Sequence, residues 1–295
     1  QYSAAEQAGV RVGQEVVKVD GIPIDEAARK RMPKSLTRDD PAARQWALLS
    51  AVAGRHGYAR RFRVVDHGEH RDLLVPAHAG RVGGQSEEMV RTRLLEDGIG
   101  YLRIGSFADE AIVERVDQAL EELRSTRALL IDVRSNAGGD TVVARPVMGR
   151  FITERLQYAW MARRQGQSFG PRWPEYVDPR GPWTYRAPVV VLPDRFSVSM
   201  AEGFAMGMQG MNRARLVGTK MAGLGAAVGR ITLPNSRVSA QISTEPVYRV
   251  DGTPRWRLAP DIDVDVLCAS SLDPILDAGR TEAKRLSSTK SAPSP

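Results

Sequence analysis

The stretch Ala128-Leu-Leu-Ile-Asp-Val-Arg-Ser-Asn-Ala-Gly-Gly-Asp140 decides the fold. Its first part, Ala128 to Val133, is apolar except for Asp132 and reads as a buried strand, the pattern of a strand covered on both faces. A helix is expected to follow over Thr141 to Thr153. In a layered α/β core, groups that meet a ligand collect where buried strands end. Gly138 and Gly139 lie at that point. Without a Cβ, their backbone can approach a ligand closely. Amides at a helix start suit an anion or a developing oxyanion. A plain strand-to-helix turn would use the same residues.

Outward from this stretch the pattern repeats. Ala187 to Pro193 reads as a second buried strand, Ser199 to Met211 as a helix, and Arg215 to Gly218 as the start of a third strand. Upstream, Val90 to Leu95 and Ile99 to Ile104 form a hairpin joined at Asp97-Gly98. Asp109 to Leu123 is an amphipathic helix with Ile112, Val116, Leu120 and Leu123 on one side. Val228 to Val250 supplies antiparallel strands, Asp273 to Leu286 a last helix, and residues 287–295 a disordered tail. Residues 165–186, rich in Gly, Pro, Trp and Arg, read as a long surface loop. The fold class is therefore α/β, a layered core with a curled β portion.

The second loop of interest is Asp194-Arg-Phe-Ser-Val-Ser-Met-Ala-Glu202. Ser199 sits where a buried strand turns into a helix, so its hydroxyl is exposed above the sheet edge. The placement resembles a nucleophile elbow, although Gly-x-Ser-x-Gly is absent. The N–H of Met200 could form half of an oxyanion hole, with Gly138 or Gly139 as the other half. The competing reading is helix capping by Ser197 or Ser199, with Glu202 at capping-box spacing from Ser199.

The N-terminal part is different in character. Val10 to Ile24 punctuates like two short strands, with Gly9, Gly13 and Gly21 at turns. Asp25 to Arg31 reads as a short helix. Asp40-Pro41 opens another, with Trp46, Leu49 and Val52 or Ala53 on its apolar side. Arg61 to Val65 and Asp72 to Pro76 read as paired strands. Four segments follow from these patterns: 1–36, a connecting helix and hairpin region over 37–88, a core over 89–286, and the tail. The chain begins at Gln1 and enters at once into what reads as the middle of a domain, so a preceding segment is expected.

Composition narrows the function classes. The chain has 295 residues, 42% hydrophobic and 26% charged, which supports a sizeable core. A single cysteine, Cys268, excludes a disulfide framework and a cysteine-based zinc cluster, and leaves Ser199 as the better nucleophile. No apolar run reaches the ~20 residues of a membrane span. The net charge of +7 has its densest source in Arg55 to Arg71. With only Tyr58 and Phe62 nearby for stacking, that segment reads as a solvated hairpin face, and no nucleic-acid partner is expected. His67-x-x-His70 lacks a third ligand, so neither a metal nor another cofactor is expected.

Six segments, in order, carry a resemblance. Glu6-Gln-Ala-Gly-Val-Arg-Val-Gly-Gln-Glu-Val-Val-Lys-Val-Asp-Gly21 resembles the latter half of a PDZ domain. Ile99-Gly-Tyr-Leu-Arg-Ile104, Leu130 to Gly139, Phe196-Ser-Val-Ser-Met-Ala-Glu-Gly-Phe-Ala205, Leu216-Val-Gly-Thr-Lys-Met-Ala-Gly-Leu-Gly225 and Leu258-Ala-Pro-Asp-Ile-Asp-Val264 resemble the core of the C-terminal processing peptidases. That superfamily includes the tail-specific proteases and the tricorn protease core. The resemblance implies a mixed layered sheet of the ClpP/crotonase kind, with residues 1–36 as a partial PDZ-like module. It implies a serine endopeptidase acting on proteins or peptides through an acyl-enzyme, and a bacterial cell-envelope or periplasmic location. Residue by residue, Ser199 matches the nucleophile, and Met200, Gly138 and Gly139 the oxyanion-hole positions.

The general base departs from the family pattern. The tail-specific branch has a Lys where this chain has Leu224, with Lys220 earlier in the same segment. The tricorn-like branch uses a His and a Glu; the Glu position aligns with Pro254, and Glu245 lies nearby in sequence. Its His lies ahead of the PDZ segment, whereas His56, His67, His70 and His78 all follow it. A Ser hydroxyl without a base is a weak nucleophile. The alternative to a peptidase is thus a peptidase-like scaffold that binds peptides or partner proteins without cutting.

Overall fold

The computed structural model describes residues 4–55, 57–77, 89–266 and 271–289. His56, His78, Cys268 and residues 290–295 of the expected tail lie outside them. The chain divides into two compact units, Gln1–Gly83 and Gly84–Pro295.

The first unit contains α1 (Ala4–Gln7), β1 (Glu15–Val19), β2 (Ile22–Pro23), α2 (Ile24–Arg29), α3 (Pro41–Ala53), β3 (Arg60–Asp66) and β4 (Glu69–Val75). Its four strands form one sheet in the order β2-β1-β3-β4. The expected hairpin is present, with Arg63 opposite Asp72. The boundary expected at residue 36 does not survive, because β1 pairs antiparallel with β3, setting Val19 against Phe62. Val19, Phe62 and Val64 make a small core that spans the expected division. The buried side of α3 also differs from expectation. Ala47 and Ala51 face inward, while Trp46 is 53% and Leu49 37% exposed. Alanines let α3 approach α2 closely, a choice that local periodicity does not reveal.

The second unit opens with β5 (Val90–Leu94) and β6 (Ile99–Ile104), then α4 (Ala111–Glu122), β7 (Ala128–Asp132) and α5 (Thr141–Gly149). Next come β8 (Leu156–Met161), β9 (Arg164–Gln165), β10 (Ser168–Phe169), β11 (Trp173–Val177), β12 (Val189–Leu192) and α6 (Met200–Gly210). The chain continues through β13 (Ala214–Gly218), β14 (Ala226–Thr232), β15 (Ser239–Tyr248), a 3-10 turn at Arg255–Arg257, β16 (Ile262–Asp263) and α7 (Pro274–Thr289). A six-stranded sheet runs β16-β13-β12-β7-β6-β5. Only β5 is antiparallel to its neighbour, so the sheet is mixed and the class is α/β, as the sequence implies.

Alternation along β7 shows why Ala128 to Ile131 is wholly apolar. Leu129 and Ile131 join Val116, Leu120 and Phe204 from α4 and α6 on one face. Ala128 and Leu130 join Ile275 and Ala283 of α7 on the other. Both faces are covered by helices, so a polar side chain there needs buried partners, as Asp132 at the end of the strand has. The last helix reaches Thr289, past the expected end at residue 286.

The expected surface loop over 165–186 is a correction. It contains the whole of β10 and β11, and β11 pairs antiparallel with β8. Tyr185 is 1% exposed, packs edge-on against Phe151 with ring centroids 6.0 Å apart, and shares a hydrogen bond with Thr126 at 2.8 Å. With β14 and β15 these strands form a second sheet, in the order β11-β8-β15-β14.

Candidate active site

The parallel register of β7 and β12 brings both loops to the same sheet edge, with Leu192 opposite Asp132. Asp132 is fully buried and accepts from Tyr101 Oη at 2.7 Å and from Arg134 Nη2 at 2.7 Å. Burial alone would raise the Asp132 carboxyl; Arg134 and Tyr101 outweigh it and hold it below the usual carboxylate range. Burial, reinforced by Asp132, pushes the Tyr101 hydroxyl up to about 12.

Three contacts lace the loops together. Val198 N–H donates to Asn136 O at 2.9 Å, Ser135 N–H donates to Asp194 Oδ1 at 2.9 Å, and Ser197 Oγ donates to Val133 O at 2.8 Å. Ser197 is fully buried in this role and is not the helix cap. Ser199 occupies the N-cap of α6, with φ 58° and ψ −115°. A non-glycine residue there is strained, and strain of this kind persists only when its surroundings impose it.

The constraint comes from Glu202, 2% exposed on the first turn of α6. Glu202 Oε2 accepts the Ser199 N–H at 2.8 Å. Its other oxygen accepts the N–H groups of Gly223 at 2.7 Å and Leu224 at 3.0 Å. Burial raises the Glu202 carboxyl above its usual range, against the opposing pull of Arg255 and these three N–H donors. Arg255, itself 5% exposed, donates from Nε to Leu224 O at 2.7 Å. One residue therefore has its N–H held by a buried carboxylate and its C=O by a buried guanidinium.

Gly138 and Gly139 both need glycine. Gly138 has φ +93°, and a Cβ there would lie 2.7 Å from Ser199 Cβ and 2.8 Å from Met200 N. Gly139 has φ +145°, and a Cβ there would lie 2.0 Å from the Phe107 carbonyl carbon. The pair differs in its amides. Gly138 N–H donates to Asn136 Oδ1 at 2.8 Å, whereas Gly139 N–H and Met200 N–H have no acceptor among the described residues. Asn136, fully buried, also donates from Nδ2 to Ile104 O at 2.9 Å, which fixes the loop from beneath.

The structure puts the base candidates in varied places. Leu224 is 44% exposed, its backbone tied to the Ser199 turn through Glu202. Lys220 is exposed in the segment before it. Glu245 is paired with Arg163 at 2.6 Å. His67 is 97% exposed at the β3–β4 turn beside Asp66, and His70 lies on β4. Pro254 leads into the Arg255–Arg257 turn. No group of side chains suited to a metal ion occurs among the described residues. Asn136 and Arg255 escaped sequence reasoning. Asn136 sits inside the quoted stretch, and its place two residues before Gly138 at the end of a buried strand was the available signal; Arg255 had none.

The family model described as Peptidase family S41 matches residues 98–264. The chain is 25% identical over 215 residues to the tail-specific protease of Haemophilus influenzae, covering 70% of this chain and 28% of that protein. It is 22% identical over 225 residues to the carboxy-terminal processing protease CtpB of Bacillus subtilis, covering 76% and 42% respectively. It thus spans less than half the length of either relative. Mature CPAF superposes with a TM-score of 0.69 at 15% identity, covering 96% of this chain and 79% of that one. A peptidase from Parabacteroides merdae superposes with a TM-score of 0.61 at 20% identity, covering 87% and 86%. These structures share the fold, and the family match takes in β7, Ser199 and the Leu224 segment together: the chain belongs to peptidase family S41.

Proposed function

We propose that this chain carries the peptidase core of a serine endopeptidase that cleaves proteins or peptides. One observation carries the reading. Ser199 is held in a strained turn against Gly138, beside two backbone N–H groups that have no acceptor among the described residues. Ser199 Oγ attacks the scissile carbonyl carbon, and the oxyanion is held by Met200 N–H and Gly139 N–H. Gly138 serves by allowing close approach, since its own N–H is engaged by Asn136. The C–N bond breaks, the amine leaves with a proton returned by the base, and water hydrolyses the acyl-enzyme. In this reading the base is a histidine ahead of the first unit, as in the tricorn-like pattern. The first unit acts as a PDZ-like module, and the protein works in the bacterial envelope. Support for both comes from the sequence resemblance.

Labelling with a fluorophosphonate probe tests the nucleophile. The full-length protein is expected to label and Ser199→Ala not to label. Persistent labelling of Ser199→Ala would overturn the assignment. A folded wild type that never labels would favour a binding scaffold, the reading that Leu224 at the lysine position suggests.

A further inference from the structure

The hairpin of β14 and β15 leaves the body of the second unit as a ribbon. From residue 230 to residue 243 every position is exposed. Register sorts its side chains. Gly229 opposes Ile242, Ile231 opposes Ala240, and Leu233 N–H bonds to Val238 O at 2.9 Å, so these residues share one face. Arg230 opposes Gln241 and Thr232 opposes Ser239, so the outer part of the other face is polar, with Val228 opposite Ser243 at its base. On the first face Ile231, Leu233, Val238 and Ile242 are 47%, 53%, 58% and 44% exposed. A two-stranded ribbon is at best marginally stable alone. One with a bare apolar face is built to be covered.

Its position and size identify the cover. The ribbon begins at Ala226, next to Leu224, whose N–H shares the Glu202 carboxylate with Ser199. Strand β14 is the outer strand of its sheet, with β15 as its neighbour. A free edge can accept an extended chain through main-chain hydrogen bonds, with alternate side chains on the apolar face. Four half-exposed side chains amount to a few hundred Å², the size of functional patches on monomers. That is short of the ~800 Å² per partner of a stable complex, which argues against a permanent second copy. We propose that the β14–β15 ribbon is a docking site for an extended, apolar segment of the substrate polypeptide, feeding the adjacent Ser199 site. The proposal rests on the peptidase reading.

The probe is fluorescein-labelled α-lactalbumin, reduced and carboxymethylated so that it stays unfolded. Its affinity is read by anisotropy with the full-length protein carrying Ser199→Ala, so that no cleavage intervenes. Adding Ile231→Thr, Val238→Thr and Ile242→Thr removes the apolar face yet keeps β-branched residues. The expected result is at least about ten-fold weaker binding, or ~1.4 kcal/mol. Native, folded α-lactalbumin is expected not to bind. Unchanged affinity in the triple variant overturns the proposal, as does equal affinity for the native probe. A triple variant that changes only from dimer to monomer, with probe affinity kept, also overturns it. Fluorophosphonate labelling of the triple variant with Ser199 intact is expected to match wild type. Loss of labelling in both proteins would count against the peptidase reading alone, because probe binding still reads the ribbon.

Discussion

Glu202 Oε2 lies 2.8 Å from the backbone nitrogen of Ser199, so a buried carboxylate fixes the strained turn that presents the hydroxyl. The same carboxylate holds Gly223 and Leu224, so it joins Ser199, the proposed nucleophile, to the Leu224 segment.

Glu202→Gln is the sharpest test of that connection. An amide cannot accept from all three N–H groups, and its own NH₂ would face donors. Loss of a charged hydrogen-bond partner at a buried site costs about 2 kcal/mol or more. Fluorophosphonate labelling of the full-length protein is expected to fall at least about ten-fold, with urea unfolding showing a folded but weakened protein. Full labelling would show that the turn holds itself.

The same residue sets a pH dependence. Its carboxyl titrates above the usual range because of burial. A raised native pKa means that the folded state holds the proton more tightly, so Glu202 favours folding at low pH and loses that contribution as pH rises through its native value. The turn needs the ionised form. Labelling is therefore expected to fall with acid at a pH above that of an ordinary glutamate, and this limb is expected to vanish in Glu202→Gln.

Asp132 gives the opposite sign. Arg134 and Tyr101 hold its carboxyl down against burial, so its contribution is present above the unfolded value and lost as pH falls through the native one. Asp132→Asn leaves Arg134 with Asp273 as its remaining carboxylate partner. A loss of about 3 kcal/mol is expected in urea unfolding at neutral pH, together with a shallower loss of stability in acid.

Gly138→Ala puts a methyl 2.7 Å from both Ser199 Cβ and Val198 O, on a backbone of positive φ. Labelling is expected to be abolished. A comparison with Gly166→Ala, where no atom lies within 4 Å of the added Cβ, separates crowding at Ser199 from the general cost of positive φ.

Much of this was legible in sequence where short-range signals agree. The Ala128–Val133 run, its glycine pair and the Ser199 turn follow from apolar continuity and chain punctuation. The pairing of β1 with β3 was not, because it joins residues on either side of two intervening helices, α2 and α3, and depends on long-range register. Trp46 and Leu49 misled because helical spacing gives the apolar side but not which neighbour covers it, and close approach to α2 selects Ala47 and Ala51 instead. Residues 165–186 misled because Gly and Pro punctuate short strands as they do loops; Trp173–Val177 is held by β8, not by its own preference. At the site, Glu202 was visible as a cap, yet its hold on Leu224 depends on a loop distant in sequence.

The grip on Leu224 has an evolutionary meaning. Glu202 takes its N–H and Arg255 its C=O, both through main-chain atoms, so the frame is indifferent to the side chain it carries. Position 224 is a socket. A proton acceptor or an aliphatic group there meets the same main-chain frame, so an exchange between them leaves the surrounding architecture unchanged.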